Sequence, residues 1–275
     1  ILDVIESRGL GDVYKRQVMD RTSSELDMRV SKEMSTHLEK PAWSPKQKLA
    51  ISARILANQG HGSGLAGQVT ARGEKPGTMW TGRFGLGLEE FRASNFLLVD
   101  EDLNVLQGEG MANPANRFHL WIYRVRPDVN SIVHTHPPNV SALSMLGVPL
   151  KPSHMDTAMF YNDCAFLEHW PGPPIGNEEG ELISNALGDK RAILLAHHGQ
   201  LSTGKNIEEA TILAYNFEHA ARLQLLAMAA GEIKDLEHTP AQDAHDFMLK
   251  DSIIDAVFLY QARLRISSGD EDALD

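Results

Sequence analysis

The spacing of apolar residues predicts a helix followed by a strand-rich first third. In "SPKQKLAISARILANQG", from Ser44, apolar residues that include Leu49, Ala53 and Leu56 share one helical face between a Ser-Pro start and a glycine stop. A glycine-rich turn then leads into a short alternating strand at 68–71, and "NFLLVDEDLNVLQ" predicts two strands around an acidic turn. The helix and these strands would form the first part of a compact domain.

Beyond residue 116, helical and strand patterns alternate. "NRFHLWIYRVRPDV" has helical spacing that closes before Pro127, "SIVHTHPP" and "RAILLAHHG" are typical of buried strands, and "NVSALSMLG" predicts a short helix. "IEEATILAYNFEHAARLQLLAMAAG" predicts a long helix ended by Gly231, with Leu213 and Phe217 on its apolar face. The tail "AHDFMLKDSIIDAVFLYQARLRI" predicts one more helical segment. This order favours one mixed α/β domain.

Composition narrows the class of protein. The chain has 275 residues, 42% of them hydrophobic and 23% charged, which is ordinary for a soluble globular protein. The net charge of -11 and the lack of a basic stripe argue against a nucleic-acid partner. Apolar runs are far shorter than the roughly 20 residues that span a membrane. A single cysteine, Cys164, excludes a disulfide within the chain, fits a cytoplasmic protein, and is more often a small buried hydrophobe than a nucleophile.

The first segment, "ILDVIESRGLGDVYKRQ", has no apolar centre of a signal peptide and no clean helical stripe. Its "GLGDVYKRQ" resembles the translation of sequencing-adapter sequence at the edges of metagenome-derived reading frames. We therefore expect residues 1–18 to be non-native or disordered. The natural chain would begin near Met19, with one domain and its helical tail over residues 19–275.

Two histidine clusters are the clearest chemical signal in the chain. In a strand, His134 and His136 project from the same face, and His197 and His198 follow another apolar strand at a glycine turn. Three neutral imidazole nitrogens with an open fourth position would suit a catalytic divalent metal. The alternative is that each histidine makes ordinary hydrogen bonds in the core or on the surface.

With these clusters the chain resembles the class II aldolase/adducin superfamily over most of its length, from Lys46 to Gly231. "RFHLWIYRVRPDVNSIVHTHPPNVSALS" and "AILLAHHGQLSTGKNIEEATILAYNFEHAARLQ" carry the resemblance. It implies a single αβα domain in which helices flank a central, largely antiparallel sheet. It also implies a homotetramer with sites near subunit boundaries, acting on a small-molecule substrate.

The resemblance also implies the metal ligands. They would be His134, His136 and His198, with His197 standing where many members have asparagine. Zinc is the expected metal, and manganese, iron, cobalt or nickel are alternatives.

The chain departs from the sugar-phosphate aldolases at one catalytic position. Ala115 stands where those enzymes have an acid/base glutamate, and Asn113 and Pro114 replace the pair of serines that holds a phosphate. In this respect the chain looks more like the adducin-side branch of the family. The resemblance therefore favours an unphosphorylated substrate.

Three functions fit these features. The first is a divalent-metal-dependent carbon–carbon lyase that cleaves a small hydroxy or keto carboxylate, by retro-aldol reaction or decarboxylation, through a metal-stabilised enolate. The second is a non-catalytic, adducin-like oligomeric binding module, and the third is a metal-dependent epimerase or dehydratase. Decarboxylation needs no base to start it, and some relatives decarboxylate hydroxylated aromatic acids.

Several residues are candidates for proton transfer. Tyr161 lies in "LKPSHMDTAMFYNDCAFLEHW", which we interpret as a loop rich in titratable groups, and is the first choice; packing on the sheet is its alternative. His119, four residues after Ala115, is the second choice, and its alternative is a simple helix-to-loop hydrogen bond. Glu109 could replace the missing carboxylate, although its "GEG" is typical of a solvated turn.

Substrate binding is expected from two segments of the first third. Asn58 and Ser63 lie in the glycine-rich "NQGHGSGLAGQ", whose backbone N–H groups could hold an anion, as the corresponding loop of the family does. Arg83 could pair with a substrate carboxylate. In the tail, the aromatic residues are candidates for covering a neighbouring subunit, and Tyr260 is the one that could reach its metal. These aromatic residues are Phe247, Phe258 and Tyr260.

Overall fold

The computed structural model describes residues 24–170, 172 and 177–275, so the expectation for residues 1–18 lies outside the described residues. The chain divides into two compact units, residues 1–41 and 42–275. Within the first unit, helix α1 spans Ser24–His37. No helix of the described residues is long and apolar enough to cross a membrane.

The second unit contains eight strands, seven helices and several short 3-10 turns among its described residues. The helices are α2 (Pro45–Leu56), α3 (Arg117–Val125), α4 (Pro138–Met145), α5 (Asn177–Leu187), α6 (Ile207–Ala230), α7 (His238–Met248) and α8 (Asp251–Ser267). The strands are β1 (Gln68–Arg72), β2 (Met79–Gly82), β3 (Phe96–Val99), β4 (Val105–Gln107), β5 (Ser131–Thr135), β6 (Cys164–Leu167), β7 (Ala192–Leu195) and β8 (Gly199–Gly204).

These strands form one sheet in the order β4-β3-β2-β1-β5-β8-β7-β6. Consecutive strands β1 to β4 make an antiparallel meander, and β5 joins it to β8. Only the β6–β7 pair of this sheet is parallel, because α5 carries the chain back across it. The predicted α/β class, with a mostly antiparallel sheet flanked by helices, is confirmed.

Each face of the sheet has its own hydrophobic cluster. One cluster joins α2, α6 and α8 to the sheet and contains Val133, Phe217 and Phe258. The other joins α3 and α5 to the opposite face and contains Phe118 and Ile132. Because successive strand residues point to opposite faces, the even-numbered residues of β5 face α3. His134 therefore shares the α3 face.

Three expectations about the secondary structure were wrong or incomplete. The tail forms two helices, because the chain turns at Leu249 and Lys250, where Leu249 is buried and Lys250 is extended. The segment interpreted as a loop contains a 3-10 turn, Met155–Phe160, and strand β6, and α5 was not predicted. Phe258 is buried within this chain, so it does not cover a neighbour.

Candidate metal centre

The His-x-His pair lies where β5 ends. His134 is buried and faces Leu201 of β8, and its Nδ1 lies 2.8 Å from the carbonyl oxygen of Gln200. A carbonyl oxygen only accepts, so Nδ1 carries the hydrogen and donates it. The Nε2 of His134 therefore carries a lone pair, and it lies 2.9 Å from Nε2 of His136. A cation bound between the two rings would replace that contact, as in metal sites whose ligands are oriented by a second hydrogen bond.

The third imidazole comes from the tight turn between β7 and β8. The backbone N–H of His198 donates to the carbonyl of Leu195, and that of His197 donates to the carbonyl of Ser144. His197 has a φ of 58°, in the left-handed region that few side chains other than asparagine adopt easily. This conformation turns the chain so that His198 joins the other two imidazoles.

The three imidazoles form a compact cluster. The ring centroids of His134, His136 and His198 are 4.7 Å apart in every pair, and one nitrogen from each lies within 4.8 Å of the others. Among the described residues, no other three His, Cys, Asp or Glu side chains converge this closely. Two nitrogens bound at about 2.0–2.1 Å to one tetrahedral zinc ion would be about 3.3 Å apart. The His134–His136 nitrogens, at 2.9 Å, would move slightly apart, and pairs separated by up to 4.8 Å would move closer to hold one ion.

The electrostatics of the cluster keep the imidazoles neutral. Burial lowers the pKa of His134 well below its usual value, and the neighbouring His198 and His136 lower it further. Burial and the charge of His136 lower the pKa of His198 to about 4, and burial lowers the pKa of His136. Neutral imidazole is the form that binds a metal, so this set of donors fits a divalent cation at neutral pH.

Helix α3 covers the cluster. The Phe118 ring packs edge-on against His134, with centroids 5.0 Å apart, and His119 is fully buried beside it. The Nδ1 of His119 lies 2.8 Å from the Thr70 hydroxyl, and its Nε2 has no hydrogen-bond partner among the described residues. Burial lowers the pKa of His119 to about 3, so it is a neutral hydrogen-bonding group near the imidazoles.

Two further polar side chains were missed by sequence reasoning. Gln68 lies directly opposite His134 in the β1–β5 pair, and Asn116 donates to the Thr81 hydroxyl at 2.8 Å. The side-chain oxygens of Gln68 and Asn116 are buried without partners in the described structure. A signal for Gln68 existed, because polar residues 68 and 70 alternate with apolar residues 69 and 71 in β1.

Two further positions from the sequence analysis are Arg83, which was expected to bind the substrate, and Ala115, which stands where the sugar-phosphate aldolases have a glutamate. Arg83 lines a narrow cleft of about 20 Å³ with Gln68, Thr81 and Asn113, which has room for one or two small polar atoms. Ala115 is half-buried and packs its methyl group against the α3-side cluster. No carboxylate is supplied at that position.

Other predicted site residues are not brought to the imidazoles within this chain. Tyr161 precedes β6 at the opposite end of the sheet, and its hydroxyl lies 3.2 Å from Nδ1 of His238. Asn58 lines a separate cavity of about 380 Å³ beside α2, and Ser63 closes an exposed turn with Ala66. Tyr260 is about half exposed on α8.

Comparison with known proteins gives one family match. Residues 47–225 match the family described as the Class II Aldolase and Adducin N-terminal domain. The matched range contains the three imidazoles, α3 and Ala115.

Individual relatives include both aldolases and decarboxylases. A 3,4-dihydroxyphthalate decarboxylase of Arthrobacter keyseri is 30% identical over 223 residues, which cover 74% of this chain and 90% of the decarboxylase. An L-fuculose phosphate aldolase of Escherichia coli O6:H1 is 32% identical over 178 residues, 63% of this chain and 79% of the aldolase. The solved L-fuculose 1-phosphate aldolase of Glaciozyma antarctica PI12 superposes with a TM-score of 0.77 at 27% identity, covering 86% of this chain and 97% of that one.

Proposed function

The chain belongs to the class II aldolase and adducin family, and from that premise we propose that it is a divalent-metal-dependent carbon–carbon lyase. Its substrate would be a small, unphosphorylated hydroxy or keto carboxylate. One observation carries the proposal: nitrogens of His134, His136 and His198 lie within 4.8 Å of one another.

These three residues would hold the cation, with zinc expected and manganese, iron, cobalt or nickel as alternatives. When bound, the cation supplies positive charge beside the substrate oxygen on which negative charge develops as the carbon–carbon bond breaks. Two of the ligands, His136 and His198, are half-buried, whereas His134 is buried, so the substrate would approach from their side.

The surroundings suit a carboxylate, because Asn113 and Pro114 stand where the family resemblance implies a pair of serines that holds a phosphate. Arg83 borders the narrow cleft that Gln68 also lines, and its planar guanidinium group would pair with a carboxylate at the opening of that cleft. The unpartnered oxygens of Gln68 and Asn116 would accept hydrogen bonds from substrate hydroxyls. The neutral imidazole of His119 would orient a substrate oxygen through its unpartnered Nε2.

Decarboxylation fits the site better than a retro-aldol reaction. Retro-aldol cleavage begins with removal of a hydroxyl proton, and Ala115 has no group that can accept it. When carbon dioxide leaves, the electron pair of the broken carbon–carbon bond stays on the substrate, so no base is needed to start the reaction. The substrate carbon then takes up one proton. The decarboxylase relative supports this interpretation through its wider match, which covers 74% of this chain against 63% for the Escherichia coli aldolase.

We also propose a homotetramer, as the family resemblance implies, with sites near subunit boundaries. Tyr260, exposed on α8, is the aromatic side chain proposed to reach a neighbouring subunit's site. Tyr161, the first choice for proton transfer, would act only on the site of such a neighbour, because within the chain its hydroxyl lies 3.2 Å from Nδ1 of His238.

Elemental analysis of the purified protein beside a His136→Ala variant tests the proposal. About one divalent metal per chain, lost in the variant, together with fragment or carbon dioxide release from hydroxy and keto acids, is the expected result. A single isomeric or dehydrated product would favour an epimerase or dehydratase. No metal after incubation with zinc and manganese would overturn the lyase and leave an adducin-like binding module.

A further inference from the structure

The β5–β8 pairing that holds His134 ends one residue before His136. Strand β5 ends at Thr135, whose partner Gln200 makes the last pair with β8. His136 is followed at once by Pro137 and Pro138, and α4 begins at Pro138. The backbone of His136 is therefore held on one side by a sheet and on the other by the first turn of a helix.

That first turn is capped by a residue from another helix. Pro137 occupies the N-cap position and has no side chain that can accept a hydrogen bond. Instead, the Glu218 carboxylate of α6 accepts from the backbone N–H of Asn139 at 3.0 Å and from that of Val140 at 2.9 Å. It also accepts from the side-chain amide of Asn139 at 2.6 Å.

Glu218 is suited to fix this turn firmly. Glu218 is only 9% exposed. A carboxylate that accepts hydrogen bonds from several N–H groups at a helix N-terminus makes strong, charge-assisted hydrogen bonds. Removing it would leave the buried N–H of Val140 and the half-buried N–H of Asn139 without their acceptor, so the turn would have to move or admit water.

We propose that Glu218 is a positioning residue for the metal centre. It ties the Pro-Pro exit of β5 to α6 and so sets the direction in which His136 presents its Nε2 toward His134 and His198. The inference rests on the proposed function, because it assumes that the three imidazoles bind a cation.

The same helix offers a matched control. Glu209 is also buried and also accepts a backbone N–H, that of Lys205 at 3.1 Å. It pairs with Arg191 as well, at 3.1 Å. Glu209 lies near the start of α6, which follows β8 at the end of the sheet away from the imidazoles. Its loss would disturb the fold without touching His136.

The test is to measure zinc dissociation constants and urea unfolding for the wild type, Glu218→Ala, Glu218→Gln and Glu209→Gln. The visible spectra of the cobalt-loaded proteins are recorded beside them. We expect Glu218→Ala to weaken zinc binding about 10- to 100-fold, as loss of an orienting partner does, and to change the cobalt bands. Glu218→Gln keeps one acceptor oxygen, so its zinc affinity should lie between those of the wild type and Glu218→Ala. This variant replaces Glu218→Ala in the test if the alanine variant fails to fold. Glu209→Gln should lose stability and keep the wild-type zinc affinity.

The outcomes separate the two proposals. If the wild type binds zinc and the Glu218 variants bind it equally well, the positioning role is overturned and the proposed function stands. If Glu209→Gln loses as much zinc affinity as Glu218→Gln at equal loss of stability, general destabilisation explains the effect and the positioning role also falls. If the wild type binds neither zinc nor cobalt, the proposed function itself is wrong, and the inference fails with it.

Discussion

The Nδ1 of His134 lies 2.8 Å from the carbonyl oxygen of Gln200, a residue 66 positions later in the chain. The bond crosses the β5–β8 pair and fixes both the tautomer and the ring orientation of His134. It therefore orients one proposed ligand before any ion binds, and the geometry of the proposed centre then depends on how His136 and His198 are held.

His198→Ala should weaken zinc binding by more than about 100-fold, because removing a ligand costs more than removing a group that orients one. The fold should remain, since His198 is only half-buried in a turn. Metal competition with a coloured chelator measures the loss. His219→Ala, which removes an exposed imidazole from α6, is the control. Equal zinc affinity in the His198 variant and the wild type would contradict the ligand set.

Gly199→Ala should damage the centre through crowding. A methyl group at this position would lie 2.5 Å from Cδ2 of His136 and 2.6 Å from the carbonyl oxygen of Thr135. We expect a loss of about 1–3 kcal/mol in unfolding free energy together with weaker zinc binding. Gly73→Ala is the control: its methyl group would crowd Thr78 and lie 3.0 Å from Cδ1 of Leu98, just after β1 at the end of that strand away from His134, so it should change stability alone.

His197→Asn should stabilise the protein slightly. The left-handed conformation of His197, at a φ of 58°, is strained for most side chains and easiest for asparagine and glycine. We expect a gain of up to about 1 kcal/mol in unfolding free energy with unchanged metal content. Urea denaturation of both proteins would reveal it, and a clear loss of stability would mean that the His197 side chain makes a needed contact.

His119→Gln should lower kcat about 100-fold while metal content stays at the wild-type level, because in the proposed function His119 orients the substrate and does not bind the ion. Tyr123→Phe is the matched change, since the hydroxyl of Tyr123 also bonds to Thr70, at 2.9 Å. Equal losses of kcat in the two variants would indicate that the Thr70 network supports packing only.

Stability should fall as pH rises through the titration of His245. Its Nε2 lies 3.1 Å from the Asp163 carboxylate and its Nδ1 lies 2.8 Å from that of Asp246. Hydrogen bonding to Asp163, and then to Asp246, raises the pKa of His245 above 6.5. The protonated form is favoured in the folded protein, so its stabilisation is complete below about pH 6.5 and is lost above the raised pKa.

Urea midpoints at pH 6 and pH 8.5, compared between the wild type and His245→Gln, isolate this contribution. Arg191 also faces Asp163 and stays charged throughout, so it contributes equally at both pH values. We expect the difference between the two proteins to shrink at the higher pH. A constant difference would show that the imidazole does not titrate against Asp163.

Sequence patterns predicted the fold best where burial is periodic. The helix from Pro45 and the helix from Arg117 were predicted because their apolar residues recur at helical spacing, and β5 because an apolar run ends at two prolines. Strand β6 was missed because its four residues are flanked by titratable groups that resemble a loop, and α5 has few apolar residues to mark its inner face.

The residues of the candidate site also divide into those that the sequence predicts and those that only the structure reveals. The histidine pair is visible because i and i+2 residues of an extended chain share a face, although β5 itself ends at Thr135, one residue before His136. The part played by Glu218 cannot be seen in the sequence, because its partners Asn139 and Val140 lie 78 or 79 positions away and only the tertiary structure brings them together. Tyr161 was chosen because it follows β5 closely in the sequence. Closeness in sequence does not show at which end of the sheet a residue lies, and Tyr161 lies at the end away from the imidazoles.

The position of β5 between the meander and β8 has a kinetic consequence. His134 and His198 belong to parts of the chain that meet only when the central β5–β8 pair has formed. This pairing joins residues that are far apart in sequence, and such pairings form slowly. A cation can bind all three imidazoles only after that pairing is complete. Zinc should therefore slow the unfolding of this protein while leaving its refolding rate almost unchanged.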